Sequence, residues 1–334
     1  MDFEKLYSIL PDFIKYNNTV LDSFMGIAKR LRDSNVVESN QVSPSEFKPT
    51  NELKKIQLFT LELLRFIDNV CNKYDIDYWI TGGTLLGAVR HGGFIPWDDD
   101  VDITFMRKDY EKFIDVFPKE ISRFDYFKQE CGLSLLRDNH KNYFNDFNSV
   151  YDFEGNRELL DTAKFMFFQI SWLKPYIKID CFPEDYVEED NLDHFEKNYL
   201  STKYKFNQEV KKGKKQFNNE IVAQNRYLGF TRNKTKYFND GLDSLQLYPV
   251  SVRETDKTFP LSKIKFEKYE FKCPKDNDYY LNVLFGPNYM QLPELIETHN
   301  FIGFIESQFN SKKEMDEKFR KDIEYLREIN DNFE

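Results

Sequence analysis

Apolar positions recur along this chain at two periods, and the switches between them mark out its elements. Leu6, Ile9, Leu10, Phe13 and Ile14, then Val20, Leu21, Phe24, Met25, Ala28 and Leu31, predict one or two amphipathic helices over residues 1–33. Residues 34–49, with Ser, Asn and two prolines among polar neighbours, predict a linker. A stripe of Leu53, Ile56, Leu61, Leu64, Ile67, Val70, Cys71 and Tyr74 predicts a long helix from about Glu52 to Tyr74. The period then changes. Tyr78-Trp79-Ile80-Thr81 predicts a short strand, Gly82-Gly83 a turn, and Thr84 to His91 a short helix that Gly92-Gly93 would end. Alternation returns near Val101 to Met106 and again from Tyr176 to Phe182, predicting two further strands. Residues 190–245 follow neither period. Met315, Phe319, Ile323, Leu326 and Ile329, amid heavy charge, predict a final surface helix with one buried stripe. Helices and strands so mixed predict an α+β fold.

Composition narrows the function classes. The 334 residues carry 47 Lys and Arg against 57 Asp and Glu, a net charge of −10. A chain this acidic is a poor partner for nucleic acid, which needs surplus cations. No stretch approaches the roughly 18 apolar residues of a membrane-spanning helix, and the first residues hold no signal-like run. Cys71, Cys131, Cys181 and Cys273 include no C-x-x-C pair, so reduced thiols in a cytoplasmic protein are expected. Aromatic content is high, with 33 Phe, 20 Tyr and 3 Trp. Most of the rings between residues 195 and 280 belong to no motif and are left as a candidate stacking surface for a ligand.

Candidate chemistry concentrates in residues 80–104, ITGGTLLGAVRHGGFIPWDDDVDIT. If the acidic run is extended, Asp98, Asp100 and Asp102 share one face and Asp99 points away. Three like charges on a face call for water or a bound cation. The acids run straight into the alternating Val101, Ile103 and Phe105, which favours a cation over a solvated turn. All-oxygen ligands suit Mg²⁺ or Mn²⁺. Gly82-Gly83-Thr84, between a strand and a helix, would offer backbone N–H groups to a phosphate. This is neither a P-loop nor a dinucleotide fingerprint, since no G-K-[ST] and no G-x-G-x-x-G is present.

Strand, Gly-Gly turn, helix and Asp-x-Asp strand together resemble the nucleotidyltransferase fold of the DNA polymerase β superfamily. Gly82-Gly83-Thr84-Leu85-Leu86-Gly87-Ala88-Val89-Arg90-His91, followed by Gly93-Phe94-Ile95-Pro96-Trp97-Asp98-Asp99-Asp100-Val101-Asp102, is similar to the signature of the LicD family of phosphotransferases. That family includes bacterial phosphocholine transferases and the fukutin-related proteins. Residues 259–293 are similar to its closing motif, with Phe285 where Tyr is common and Asn288 where Asp is common. The resemblance spans roughly residues 53–300.

The resemblance implies a nucleotidyltransferase-like mixed β-sheet flanked by helices: an N-terminal helical extension and linker over 1–48, a catalytic domain over 49–300 and a C-terminal helix over 301–334. It implies transfer of a phospho-alcohol (choline, ethanolamine, ribitol or glycerol phosphate) from a CDP-activated donor to a glycan or glycolipid hydroxyl, with release of CMP. Two Mg²⁺ or Mn²⁺ ions would be held by Asp98, Asp100, Asp102 and Asp180, and Asp180 is either a ligand or the base. Gly82, Gly83 and Thr84 are expected at the diphosphate. Arg90 is expected either to clamp phosphate or to pair with an aspartate. Arg137 is a further phosphate candidate or a surface residue. Trp97, with Trp79 and Trp172, is a candidate cage for a quaternary ammonium group. His91 reads as a hydrogen-bonding neighbour, and the lysine run 211–215 as a solvated loop or a peripheral membrane contact. Two other readings stand: a nucleotidyltransferase using an NTP, and a non-catalytic glycan-binding relative.

Overall fold

The computed structural model describes residues 43–44, 47–124, 134–136, 168–172, 177–210, 223–242, 250–294, 296 and 305–334. The helices expected over 1–33, Cys131, Arg137 and the lysine run 211–215 lie outside the described residues. Helix α1 (Asn51–Lys73) opens where Thr50 caps it, its side chain accepting from Leu53 N at 3.1 Å. Strand β1 (Trp79–Ile80), helix α2 (Gly82–His91), strand β2 (Val101–Met106) and helix α3 (Arg107–Ser122) follow. Then come β3 (Ser134–Leu136), β4 (Phe168–Trp172), β5 (Ile177–Val187) and α4 (Leu192–Val210). The second half of the chain adds β6 (Phe230–Thr231), β7 (Tyr237–Asp240), β8 (Arg253–Glu254), α5 (Thr255–Thr258), a hairpin of β9 (Ser262–Phe266) and β10 (Tyr269–Cys273), α6 (Asn277–Phe285) and α7 (Lys312–Asp331).

Eight strands form one mixed sheet in the order β1-β2-β5-β4-β3, with β6 and β7 on the far half of β5 and β8 on β7. Among the described residues only β2 and β5 run parallel; the remaining pairs are antiparallel. The α+β class expected from the sequence is thus observed. Two element boundaries differ from expectation. Helix α2 begins at Gly82 rather than Thr84, and β5 runs on past Phe182 to Val187. Pro183, just past the expected end, sits where β5 changes partners: β4 pairs up to Cys181 and β7 begins at Glu184. Its missing N–H falls in that gap, so no ladder bond is lost.

One hydrophobic core joins these elements. It contains the buried stripe of α1, the sheet residues Val101, Ile103, Ile177 and Ile179, and the inward face of α7 at Met315, Phe319 and Leu326. Glu62 of α1 is fully buried. Its carboxylate accepts from Arg327 Nε at 2.8 Å, Lys268 Nζ at 3.0 Å and Tyr269 OH at 3.2 Å, tying α1 to α7 and the hairpin. The aromatic surplus is spent largely here. Phe66 meets Phe117, Phe124 and Phe333 edge-on at centroid separations of 5.6–6.0 Å. Phe195, Tyr199, Phe238, Phe266, Phe271 and Tyr280 are all buried, so these rings of the 195–280 region pack the interior and offer no stacking surface. Each gains more from leaving water than it could from a sugar face.

Candidate active site

Register decides the geometry. In the parallel β2–β5 pair, Asp102 and Asp180 are direct neighbours. Two residues before Asp180 on the same face lies Lys178, whose Nζ is 2.7 Å from Asp180 Oδ2 and 3.0 Å from Asp100 Oδ2. Asp98, Asp99 and Asp100 precede the strand, and one carboxylate oxygen from each lies within 4.8 Å of the others. Asp99 therefore does not point away. The expected alternation fails because residues 98–100 form a loop, and a loop has no two-residue period. The loop is held from outside: Gln57 Nε2 of α1 donates to Asp98 O at 2.8 Å, and Asp98 N donates to Ile95 O at 2.9 Å.

Charge is short of balance in this cluster. Burial, and then the neighbouring Asp100, Asp102 and Asp99, push the Asp98 carboxyl well above its ordinary range. Burial, then Asp100 and Asp180, do the same to Asp102, against the pull of Lys178 and the Gly83 N–H. Burial works against a charged Lys178, yet Asp180 and Asp100 together raise it well above its ordinary value. The donors are hard carboxylate oxygens crowded beyond what one ammonium neutralises. That set fits a hard divalent cation.

The Gly-Gly turn is built against Asp102. Gly83 N donates to Asp102 Oδ2 at 3.2 Å, and Asp102 N donates to Thr84 Oγ1 at 2.8 Å. Gly82 has φ +51°, and a Cβ there would lie 2.6 Å from Asp102 Oδ2. A Cβ on Gly83 would lie 2.9 Å from Asp98 Oδ2. Both glycines are demanded by the approach of the acids. Thr84 and Gly83 thus strut Asp102 in this structure.

The remaining expected residues fall into two groups. Arg90 pairs with no aspartate among the described residues; its Nη1 donates to the carbonyls of Tyr289 (3.0 Å) and Gln291 (3.1 Å), and its Nε donates to His91 Nε2. It fastens α2 to the closing motif. Trp97 is half-buried, edge-on to His91 at 6.2 Å and to Phe47 at 6.1 Å. Trp79 is fully buried, with Nε1 donating to Tyr280 OH at 3.0 Å, so it cannot join a cage; β1 ends the sheet, yet its side chain packs into the core against Phe238 and Phe259. The Trp172 side chain lies outside the described residues, as does Arg137.

Sequence reasoning missed several participants. Lys178 was legible as the residue two before Asp180 on an alternating strand. Glu267, at the β9–β10 turn with φ +55°, accepts from Phe94 N at 3.1 Å, and its own N donates to Gly92 O at 2.9 Å. A Cβ on Gly93 would meet Glu267 Oε1 at 2.0 Å, so any other residue there would push that carboxylate off Phe94 N. Behind the Gly-Gly turn lies a buried network: Arg253 Nη2 reaches Glu184 Oε2 at 2.6 Å and Asp240 Oδ1 at 3.0 Å, and Nη1 donates to Tyr280 OH at 3.2 Å. Glu184 and Asp240 are paired across β5 and β7.

Comparison with known proteins bears on this arrangement. Residues 75–200 match the family model described as LicD/FKTN/FKRP, nucleotidyltransferase domain. The chain is 47% identical over 84 residues to a lipopolysaccharide cholinephosphotransferase LicD of Haemophilus influenzae, covering 25% of this chain and 31% of that protein. It is 34% identical over 156 residues to an uncharacterized protein of Rickettsia typhi, covering 47% of this chain and 41% of the relative. Over 48 residues it is 46% identical to the human ribitol 5-phosphate transferase FKRP, covering 14% of this chain and 10% of that protein. The chain thus spans well under half the length of each of these relatives. No helix among the described residues is long and apolar enough to cross a membrane.

Proposed function

Because the chain belongs to the LicD/fukutin-related family, we propose that it is a metal-dependent phosphotransferase acting through this acidic cluster. It would move a phospho-alcohol, such as phosphocholine or ribitol, glycerol or ethanolamine phosphate, from a CDP-activated donor to a hydroxyl of a cell-surface glycan. The observation that carries the reading is the register of Asp102 beside Asp180, with Asp98 and Asp100 on the adjoining loop and a glycine turn pressed against them. On this reading the sheet and its helices are a nucleotidyltransferase fold.

Asp98, Asp100, Asp102 and Asp180 would hold Mg²⁺ or Mn²⁺. Bound there, divalent ions would neutralise charge on the diphosphate and on the departing oxygen. The protein's own part is positioning. Thr84 and Gly83 fix Asp102, Gln57 and Glu267 fix the acidic loop, and the α2 N-terminus at Gly82 faces the same cleft. In the transfer, the acceptor oxygen forms a new P–O bond to the alcohol-bearing phosphorus. The bridging P–O bond breaks and CMP leaves with the bridging oxygen. The hydroxyl proton would pass to a carboxylate, and Asp180, whose Oδ2 accepts from Lys178 Nζ, would take it in the alternative in which it serves as base and not as a metal ligand.

The test uses the purified chain, Mg²⁺ and a panel of CDP-alcohols with glycan acceptors, following CMP release with and without EDTA. Asp100→Asn and Asp102→Asn should each lower the metal-dependent rate by at least about a hundredfold. Near-full activity in both variants would defeat the assignment. Pyrophosphate release from an NTP would favour a nucleotidyltransferase instead.

A further inference from the structure

Thr81 stands at the N-cap of α2 with the extended backbone that a capping residue needs, φ −136° and ψ −173°, yet its side chain makes no capping bond. Thr50, in the same position on α1, does cap its helix. The Thr81 hydroxyl is turned instead to Tyr280 OH, 3.1 Å away. Tyr280, on α6, is fully buried. Trp79 Nε1 lies 3.0 Å from its hydroxyl and Arg253 Nη1 lies 3.2 Å from it. Both nitrogens can only donate. The phenol oxygen accepts from the two of them, and its own proton is the one left for Thr81 Oγ1.

This contact withholds a competitor from the acidic cluster. An N-cap hydroxyl accepts from the N–H of the second or third helical residue, here Gly83 or Thr84. The Gly83 N–H is already given to Asp102 Oδ2, at 3.2 Å. That distance is at the long end of the N–H···O range, so the bond is open to competition. Thr81 is itself fastened to the same strand residue, its backbone N donating to Asp102 O at 3.1 Å. One side-chain torsion, χ1 of Thr81, therefore separates a hydroxyl held by Tyr280 from one that takes the Gly83 N–H away from the Asp102 carboxylate.

We propose that Tyr280 is a positioning residue for Asp102: by holding the Thr81 hydroxyl it keeps the start of α2 uncapped and reserves the Gly83 N–H for the Asp102 carboxylate. The inference rests on the reading of Asp102 as a metal ligand given above. Tyr280 acts through Thr81 and Gly83 and not by touching the cation.

The experiment titrates the full chain with Mn²⁺ by calorimetry and follows the Gly83 amide by NMR. Tyr280→Phe should weaken Mn²⁺ binding about tenfold, as expected of a residue that orients a metal ligand, and should shift the Gly83 amide. Thr81→Val has no hydroxyl to cap with, so it should bind Mn²⁺ like the parent. Adding Thr81→Val to Tyr280→Phe should return both the affinity and the Gly83 signal to the Thr81→Val values. Tyr280→Phe also takes an acceptor from Trp79 and Arg253, so it should melt below the parent. The double variant shares that loss, and a merely loosened core would therefore show no rescue. Weakening that Thr81→Val does not rescue, or a Tyr280→Phe variant with parental Mn²⁺ affinity and an unmoved Gly83 amide, would overturn the assignment. If circular dichroism shows Tyr280→Phe unfolded, Thr81→Asn decides, since it supplies a stronger cap with Tyr280 in place. It should weaken Mn²⁺ binding about tenfold and shift the Gly83 amide, and parental behaviour would overturn the assignment equally. A parent chain that binds no Mn²⁺ defeats the metal reading alone. The Gly83 amide then decides the role of Tyr280: a shift in Tyr280→Phe that reverts in the double variant sustains it, and any other result removes it.

Discussion

Replacing Lys178 with Met removes one positive charge from the acidic cluster while keeping the side chain's bulk. Lys178 Nζ lies 2.7 Å from Asp180 and 3.0 Å from Asp100, with only 19% of its side chain exposed. At an effective dielectric of about 20, each contact has a gross attraction of about 5–6 kcal/mol. Desolvation returns much of this, and breaking a buried pair by removing one partner costs about 3–5 kcal/mol. In EDTA, Lys178→Met should therefore be about 3 kcal/mol less stable than the parent, a fall in melting temperature of roughly 4 °C for a chain of 334 residues. The same substitution should strengthen Mn²⁺ binding by about tenfold or more, because the ion no longer competes with an ammonium for the same oxygens. Thermal melts with and without Mn²⁺, together with Mn²⁺ calorimetry, measure both effects. A variant as stable as the parent in EDTA, or one that binds Mn²⁺ more weakly, would refute this account of the cluster.

Three further outcomes are expected. Gly82→Ala combines a left-handed backbone with a Cβ 2.6 Å from Asp102 Oδ2, so it should displace Asp102 and reduce metal-dependent CMP release by at least tenfold, with a stability loss of about 1–3 kcal/mol. Glu62→Ala should cost about 3–5 kcal/mol in denaturant unfolding, because Arg327, Lys268 and Tyr269 lose a shared buried acceptor; a loss under about 1 kcal/mol would show that the network is dispensable. Burial pushes the Asp322 carboxyl up to about 8, even with Lys318 Nζ 3.0 Å away. A raised folded value means its contribution is complete below about pH 4 and is lost as pH climbs to about 8. Asp322→Asn should thus be more stable than the parent by about 1–3 kcal/mol at pH 8.5, with the gap closing or reversing near pH 4. A constant gap across that range in denaturant melts would rule the titration out.

The two-residue period made β1, β2 and the start of β5 legible, and with them Asp102 and Asp180 on neighbouring strands. It also invited two errors. Alternation extended into residues 98–100 turned Asp99 outward, although a loop carries no such period. Following the strand only to Phe182 cut β5 short and hid Glu184, because nothing local says that a strand changes partners there. Asp240 and Arg253 carry no period or motif of their own; they become neighbours of Glu184 only when β7 and β8 close onto β5. Trp79 and the aromatics of the second half looked free for ligands because ring content does not reveal which rings the core will take.

The Glu267 clamp bears on where this protein can be cut. The family model matches residues 75–200, yet the loop that leads into the acids there is pinned by Glu267 at Gly92 and Phe94 and by Gln57 at Asp98. Both anchors lie outside that stretch, as do α1 and α7, whose apolar faces complete the core. An excised 75–200 fragment would keep Asp98, Asp99, Asp100, Asp102 and Asp180 and lose the scaffolding around them. The matched stretch is thus shorter than the core that packs around it, and a fragment cut to it should fail to fold on its own, as circular dichroism would show.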